Sequence, residues 1–218
     1  MQISSTLIQF LTDLANNNSR EWFEANRKRY EIEKAEFQQV IGYLLKEIGQ
    51  FENLNGQEIK HCSYRINRDI RFSSDKSPYK KNFGCSFEEG GKKSGRAGYY
   101  LHIQPGNSFL AGGAWGPTKE QLAAIRQEID YNGGDLVKIL ETPTFKVLFP
   151  KVEGEALKNM PKGYPKDHQF IELLKQNQLY VMHKYTDNQV VEAGFLDKVV
   201  SHCHTMKPFA DWLNMVLF

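Results

Sequence analysis

Hydrophobic periodicity changes twice along this chain. Between residues 62 and 111 apolar side chains alternate with more polar neighbours, at Cys62-Tyr64-Ile66, Phe83-Cys85-Phe87, Tyr99-Leu101-Ile103 and Phe109-Ala111. On either side of that stretch they recur every three or four residues. A period of two sends alternate side chains to opposite faces of a strand, whereas a period near 3.6 gathers them on one face of a helix. The chain is therefore expected to be α+β, with an antiparallel sheet of about four to six strands packed against N- and C-terminal helices. One face of such a sheet packs on the helices, and the other stays available for a ligand.

The helical parts carry their own punctuation. Leu7, Phe10, Leu11 and Leu14 follow Ser4-Ser5, a pair suited to cap a helix N-terminus. Glu21 falls three residues after Asn18, as in a capping box, so a second helix is expected from Asn18 or Ser19 to about Gly49. Beyond the sheet, Thr118 and Gln121 repeat the capping pattern ahead of Leu122, Ile125 and Ile129. Leu136, Ile139 and Leu140 predict a short helix stopped by Pro143, and Asp167 is placed to cap a helix holding Phe170, Leu173 and Leu174. Leu179 to Tyr185 alternates again and predicts a late strand. The last helical run, from Asn188, is expected to break at Pro208.

With 218 residues, 40% hydrophobic and 12% aromatic, the chain can bury a substantial core, and residues 1–218 read as one domain without repeats or an evident linker. No apolar run approaches the roughly 20 residues that span a bilayer. Met1 to Asp13 lacks a basic start and a small-residue cleavage site. A cytoplasmic protein with no membrane partner is expected. Three cysteines without a C-x-x-C argue against a disulfide framework and a zinc ribbon. His202-Cys203-His204 cannot converge on one ion while a helix persists, because neighbours on a helix point about 100° apart. No metal site is expected; the glycine-rich nucleotide fingerprints are absent, and the identity of any cofactor is left open.

The chemistry-bearing feature is R-I-N-R-D-I-R-F-S-S-D-K-S-P-Y-K-K-N, from Arg65 to Asn82. It sets six cations against two carboxylates in a chain whose net charge is only +2. Such a concentration is costly to bury without partners. Arg suits bidentate recognition of carboxylate or phosphate, and Lys supplies a point charge. Arg65, Arg68, Arg71, Ser73, Lys76, Tyr79 and Lys80 are thus candidate ligand-binding residues. Asp69, Asp75 and His168 are candidate catalytic residues, the last for proton transfer because imidazole titrates near neutrality. The competing reading pairs Asp69 and Asp75 with the arginines as an anchor for the loop. Arg68-Asp69 does not make a kinase catalytic loop, since Ser74 stands where that motif needs Asn.

Three further blocks stand out: N-N-x-R-x-W-F-x-x-N-R-x-x-Y from Asn17 to Tyr30, G-G-A-W-G-P from Gly112 to Pro117, and P-K-G-Y-P-K-D-H from Pro161 to His168. In order and spacing the four blocks resemble the uncharacterised bacterial and fungal family called domain of unknown function 2461. The resemblance covers nearly the whole chain; Gln169 departs from it, where proline is expected. It implies a single α+β domain with a shared site, and no reaction.

The leading functional expectation is an anionic or phosphate-bearing small molecule held in a basic, hydroxyl-rich pocket, with any chemistry left open. A nucleic-acid module stacking bases on Tyr99, Tyr100 or Phe109 is the alternative, and the weak overall charge counts against it. A protein-interaction or scaffold domain using the last amphipathic helix is the third.

Overall fold

A computed structural model describes residues 1–218. Helix α1 (Ser5–Asn16) is capped by the Ser4 hydroxyl, which accepts from the Leu7 N–H at 3.2 Å. It buries Leu7, Phe10, Leu11 and Leu14, the four side chains its spacing singles out. Each contributes on the order of 1.5–3 kcal/mol when withdrawn from water. The next helix is divided. Ser19 rather than Asn18 caps α2 (Arg20–Ala25), its hydroxyl accepting from the Trp22 N–H at 3.2 Å. Asn18 cannot do so because its amide is bonded to the Tyr79 backbone. Asn26, at φ −107° and ψ 13°, leaves helical geometry before α3 (Arg27–Ile48) starts. α3 then buries the stripe Phe37, Val40, Ile41, Leu44 and Ile48.

The sheet has four strands, β1 (Phe83–Phe87), β2 (Gly98–Ile103), β3 (Ser108–Ala114) and β4 (Leu179–Tyr185), in that order and antiparallel throughout. The alternation at Cys62-Tyr64-Ile66 does not add a fifth. Cys62 closes the short helix α4 (Ile59–Cys62), and the chain then runs extended with isolated bridges from Ser63 to Cys85 and from Asn67 to Tyr79. Alternation reports an extended chain; this one reaches two different partners and so builds no ladder.

Register assigns the faces. Phe83, Cys85 and Phe87 stand opposite Ile103, Leu101 and Tyr99, and all six are buried. Leu110, Val181 and Tyr185 continue that face, which α3 and α9 (Phe195–Leu217) cover. The other face carries Ser86, Tyr100, His102, Phe109 and Ala111, with Tyr180 from β4. Phe109 and Ala111, the apolar positions of the β3 alternation, therefore mark the open face, while Leu110 faces the core.

Between β3 and β4 the chain is helical. The capping box at Thr118 and Gln121 starts α5 (Lys119–Glu141), which continues through a kink at Asn132 instead of ending. Pro143 begins α6 (Pro143–Leu148), occupying a first-turn position where its missing N–H costs nothing. α7 (Ile171–Leu174) is not capped by Asp167; the His168 Nδ1 accepts from the Phe170 N–H at 3.1 Å instead. After α8 (Asp187–Val190), α9 runs through Pro208 without a break. Met206, Phe209, Ala210, Trp212 and Leu213 are all buried around that proline. Their packing outweighs the ~3 kcal/mol of an interior proline. One continuous apolar cluster, from Ile3 to Leu213, joins helices and sheet. No helix is long and apolar enough to cross a membrane.

Candidate functional site

The basic loop is largely engaged with itself. The Arg68 guanidinium donates to Asp75 at 2.6 Å, to the Ser77 carbonyl at 3.1 Å and to the Ser73 hydroxyl at 3.3 Å. Arg71 forks onto Asp69 at 3.0 and 2.7 Å. Lys76 donates to the Ile70 carbonyl at 3.1 Å. Asp75 also accepts from the Ser77 hydroxyl and, at 2.9 Å, its N–H; with Arg68 these hold its carboxyl well below the usual range. The Arg71 guanidinium, then its N–H, lowers Asp69 likewise. Tyr79 is buried and stacked on Phe23, ring centroids 3.9 Å apart. His168 lies elsewhere, between α5 and α7. Its Nδ1 accepts a backbone N–H, so Nε2 carries the proton and donates to Asp130 at 2.9 Å.

Three of the loop's cations are different. Arg65, Lys80 and Lys81 have no acceptor and no carboxylate within ion-pair distance; Arg65 and Lys81 are exposed, and Lys80 alone of the three is half-buried. Lys80 turns away from the loop onto the face of the Tyr64 ring, 5.4 Å from its centroid. There it borders a hollow of about 700 Å³ over the open face of the sheet.

The floor of that hollow is Ser86, Tyr100, His102, Phe109 and Ala111. Trp115 and Tyr180 wall one end, their rings 4.7 Å apart. Trp115 is 66% exposed. Tyr64, Lys80, Glu88, Lys92 and Arg96 line the other end. The floor is flat for a local reason. A Cβ on Gly84 would lie 2.6 Å from the Tyr100 hydroxyl, so only glycine lets the Tyr100 ring lie across β1.

Electrostatics divide the hollow. A second ammonium, Lys92, sits 4.9 Å from the Tyr64 centroid and donates to the Ser63 carbonyl. Burial first, then the charges of Arg65 and Lys92, push the Lys80 pKa down. The Tyr64 hydroxyl is 3.4 Å from the Ser86 hydroxyl, which donates to Glu88 at 3.2 Å. Burial raises the Glu88 carboxyl. On the floor, His102 stacks on Phe109 at 4.5 Å and 11°. Its ring nitrogens meet the Tyr100 hydroxyl at 3.0 Å and the Gln104 amide oxygen at 3.1 Å. Burial lowers the His102 pKa and lifts Tyr100 to about 12, so both are neutral at pH 7. The floor is thus aromatic and uncharged, with cations at one end.

Of the residues singled out from sequence, the structure brings Lys80 to this hollow, places Arg65 within electrostatic reach of it, and leaves Arg68, Arg71, Ser73, Lys76, Asp69 and Asp75 in the adjoining loop. Tyr99, weighed as a stacking residue, faces the core and donates to Glu52 at 2.5 Å. Ser86, Glu88, Lys92 and His102 are additional. Ser86 and His102 are the polar half of the β1 and β2 alternations, and Glu88 and Lys92 stand in the connection between the two strands.

No curated protein and no solved structure matches this chain. Three of the four sequence blocks meet around the hollow or brace it: Asn18 of the first grips the second at Tyr79, Lys80 and Asn82 of the second line the hollow, and Gly112 to Pro117 line its far end. The family model described as "Conserved hypothetical protein (DUF2461)" matches residues 6–212, and the chain belongs to that family.

Proposed function

We propose that the protein binds a small anionic molecule with a flat apolar part over the open face of its sheet. The observation that carries this reading is the ammonium of Lys80, half-buried and without a carboxylate, at the edge of a hollow of about 700 Å³ floored by aromatic rings. That volume lies within the roughly 300–1,000 Å³ typical of ligand pockets, and a few fixed polar groups in an apolar lining are their usual composition. Lys80, Lys92 and Arg65 meet the carboxylate or phosphate; Tyr100, His102 and Phe109 meet the flat part. The rest of the basic loop, Arg68, Arg71, Ser73 and Lys76, holds the segment from which Lys80 emerges. The continuous core supports treating 1–218 as a single domain, and three buried free thiols fit a reducing, cytoplasmic setting.

A thermal-shift screen of aromatic carboxylates and phosphates tests this. A ligand at 100 times its Kd stabilises the fold by about 2.7 kcal/mol. The stabilisation should vanish in Lys80→Met and survive in Arg71→Ala. Loss in Arg71→Ala alone would move the site into the loop.

One observation favours a second reading. A four-stranded antiparallel sheet with aromatic side chains on its open face is the layout of many single-stranded nucleic-acid platforms. Here the rings are engaged with one another: His102 covers Phe109, and the Tyr100 hydroxyl is bonded to His102. Steeply salt-dependent binding of a single-stranded oligonucleotide would favour it.

A further inference from the structure

We propose that Lys80 is a nucleophilic amine that condenses with the carbonyl group of an anionic aldehyde or ketone, an α-keto acid in the simplest case. The inference rests on the hollow being an anion site and gives that site a chemistry.

The root of the side chain is fixed. Lys80 N–H donates to the Ile66 carbonyl at 2.8 Å, and the preceding residue is held by Asn18 and stacked on Phe23. Its ammonium has no acceptor, in contrast to Lys207, which reaches Asp211 at 2.8 Å and Glu52 at 3.4 Å. The charges that act on it are those of Arg65 and Lys92, two cations, with the Tyr64 ring beneath, neutral His102 on the floor, and Glu88 at the same end beyond ion-pair distance. A lysine that is desolvated beside other cations gives up its proton more easily, and this is one of the ways amines are activated as nucleophiles. The lowered pKa noted above agrees with that placement. Lys92 lines the hollow and would meet the carboxylate, with Arg65 within electrostatic reach.

In the condensation the unprotonated Nζ attacks the carbonyl carbon and forms a C–N bond. The carbonyl oxygen leaves as water, taking one hydrogen from the amine and one proton from a neighbouring acid. The nitrogen keeps its other hydrogen and ends as a protonated imine. That acid comes from the solvent to which the hollow opens; the Ser86 hydroxyl donates to Glu88, so no proton passes outward along that contact.

Phenylpyruvate with cyanoborohydride, read by peptide mass mapping of the full chain, tests the step, and phenyllactate, which lacks the carbonyl, tests binding alone. The reduced adduct should form on Lys80 about tenfold faster than on exposed lysines such as Lys28. Phenyllactate should suppress it. Lys80→Arg should bind phenyllactate and give no adduct at position 80, and Lys92→Met should move the pH profile of labelling to higher pH. If phenyllactate binds but Lys80 labels no faster than surface lysines, the imine is excluded and the anion site stands. If neither compound binds, both are overturned.

Discussion

Asn18 holds Tyr79 by both edges of its side-chain amide. Its nitrogen donates to the Tyr79 carbonyl at 3.0 Å, and its oxygen accepts the Tyr79 N–H at 3.1 Å. This closed pair ties the turn after α1 to the loop residue that precedes Lys80. Asn18→Ala would remove both bonds and orphan two backbone groups, at a cost of about 1–3 kcal/mol. Urea denaturation should register that loss, and ligand stabilisation should weaken with it because Lys80 loses its brace.

Gly84 and Tyr100 form a second coupled pair. A methyl at position 84 would meet the Tyr100 hydroxyl at 2.6 Å and two ring carbons at 3.1 Å. Gly84→Ala should lift the ring into the hollow, destabilise the fold by about 1–3 kcal/mol and reduce ligand binding. In a Tyr100→Ala background the same substitution should cost much less. A double-mutant cycle measured by denaturation reports the coupling.

Arg68 and Arg71 of the loop should behave differently. Arg68 is mostly covered and serves Asp75, Ser73 and the Ser77 carbonyl, so Arg68→Ala strands acceptors and should cost about 1–3 kcal/mol. Arg71 is 75% exposed beside Asp69, and Arg71→Ala should leave the melting temperature nearly unchanged. Thermal melts of the two variants side by side check the ordering.

Glu88 gives a pH dependence of defined sign. Burial raises its carboxyl above the ordinary 4.5, so the folded protein holds that proton more tightly than the unfolded chain. The resulting stabilisation is fully present below the unfolded value and is lost as pH rises through the folded one. Glu88→Gln should therefore gain stability relative to the parent as pH is raised from about 4 to 7. Tm difference curves across that range isolate the group, since Asp69 and Asp75, with lowered values, are common to both proteins.

The periodicities carried most of the architecture. The burial of Leu7, Phe10, Leu11 and Leu14, the Thr118–Gln121 capping box and the β1, β2 and β4 strands all follow from local spacing. What local spacing could not show was long-range competition. Asn18 reads as a helix cap until Tyr79, sixty-one residues away, claims its amide. Pro208 reads as a break until the packing of Phe209, Trp212 and Leu213 overrides it. The candidate site divides in the same way. Charge density pointed to the Arg65–Asn82 loop, but density does not reveal which cations have acceptors. Arg68 and Arg71 find theirs within a few residues, whereas Lys80 is carried across to the sheet. Ser86 and His102 were visible only as the polar half of an alternation, which reads equally well as a solvated face.

Chemical-shift mapping with phenyllactate bears on the anion site most directly. Shifts should concentrate at Lys80, Ser86, Tyr100, His102 and Phe109, on the open face of β1, β2 and β3 and at its basic end. Shifts confined to Arg68 through Lys76, with the sheet unmoved, would contradict it.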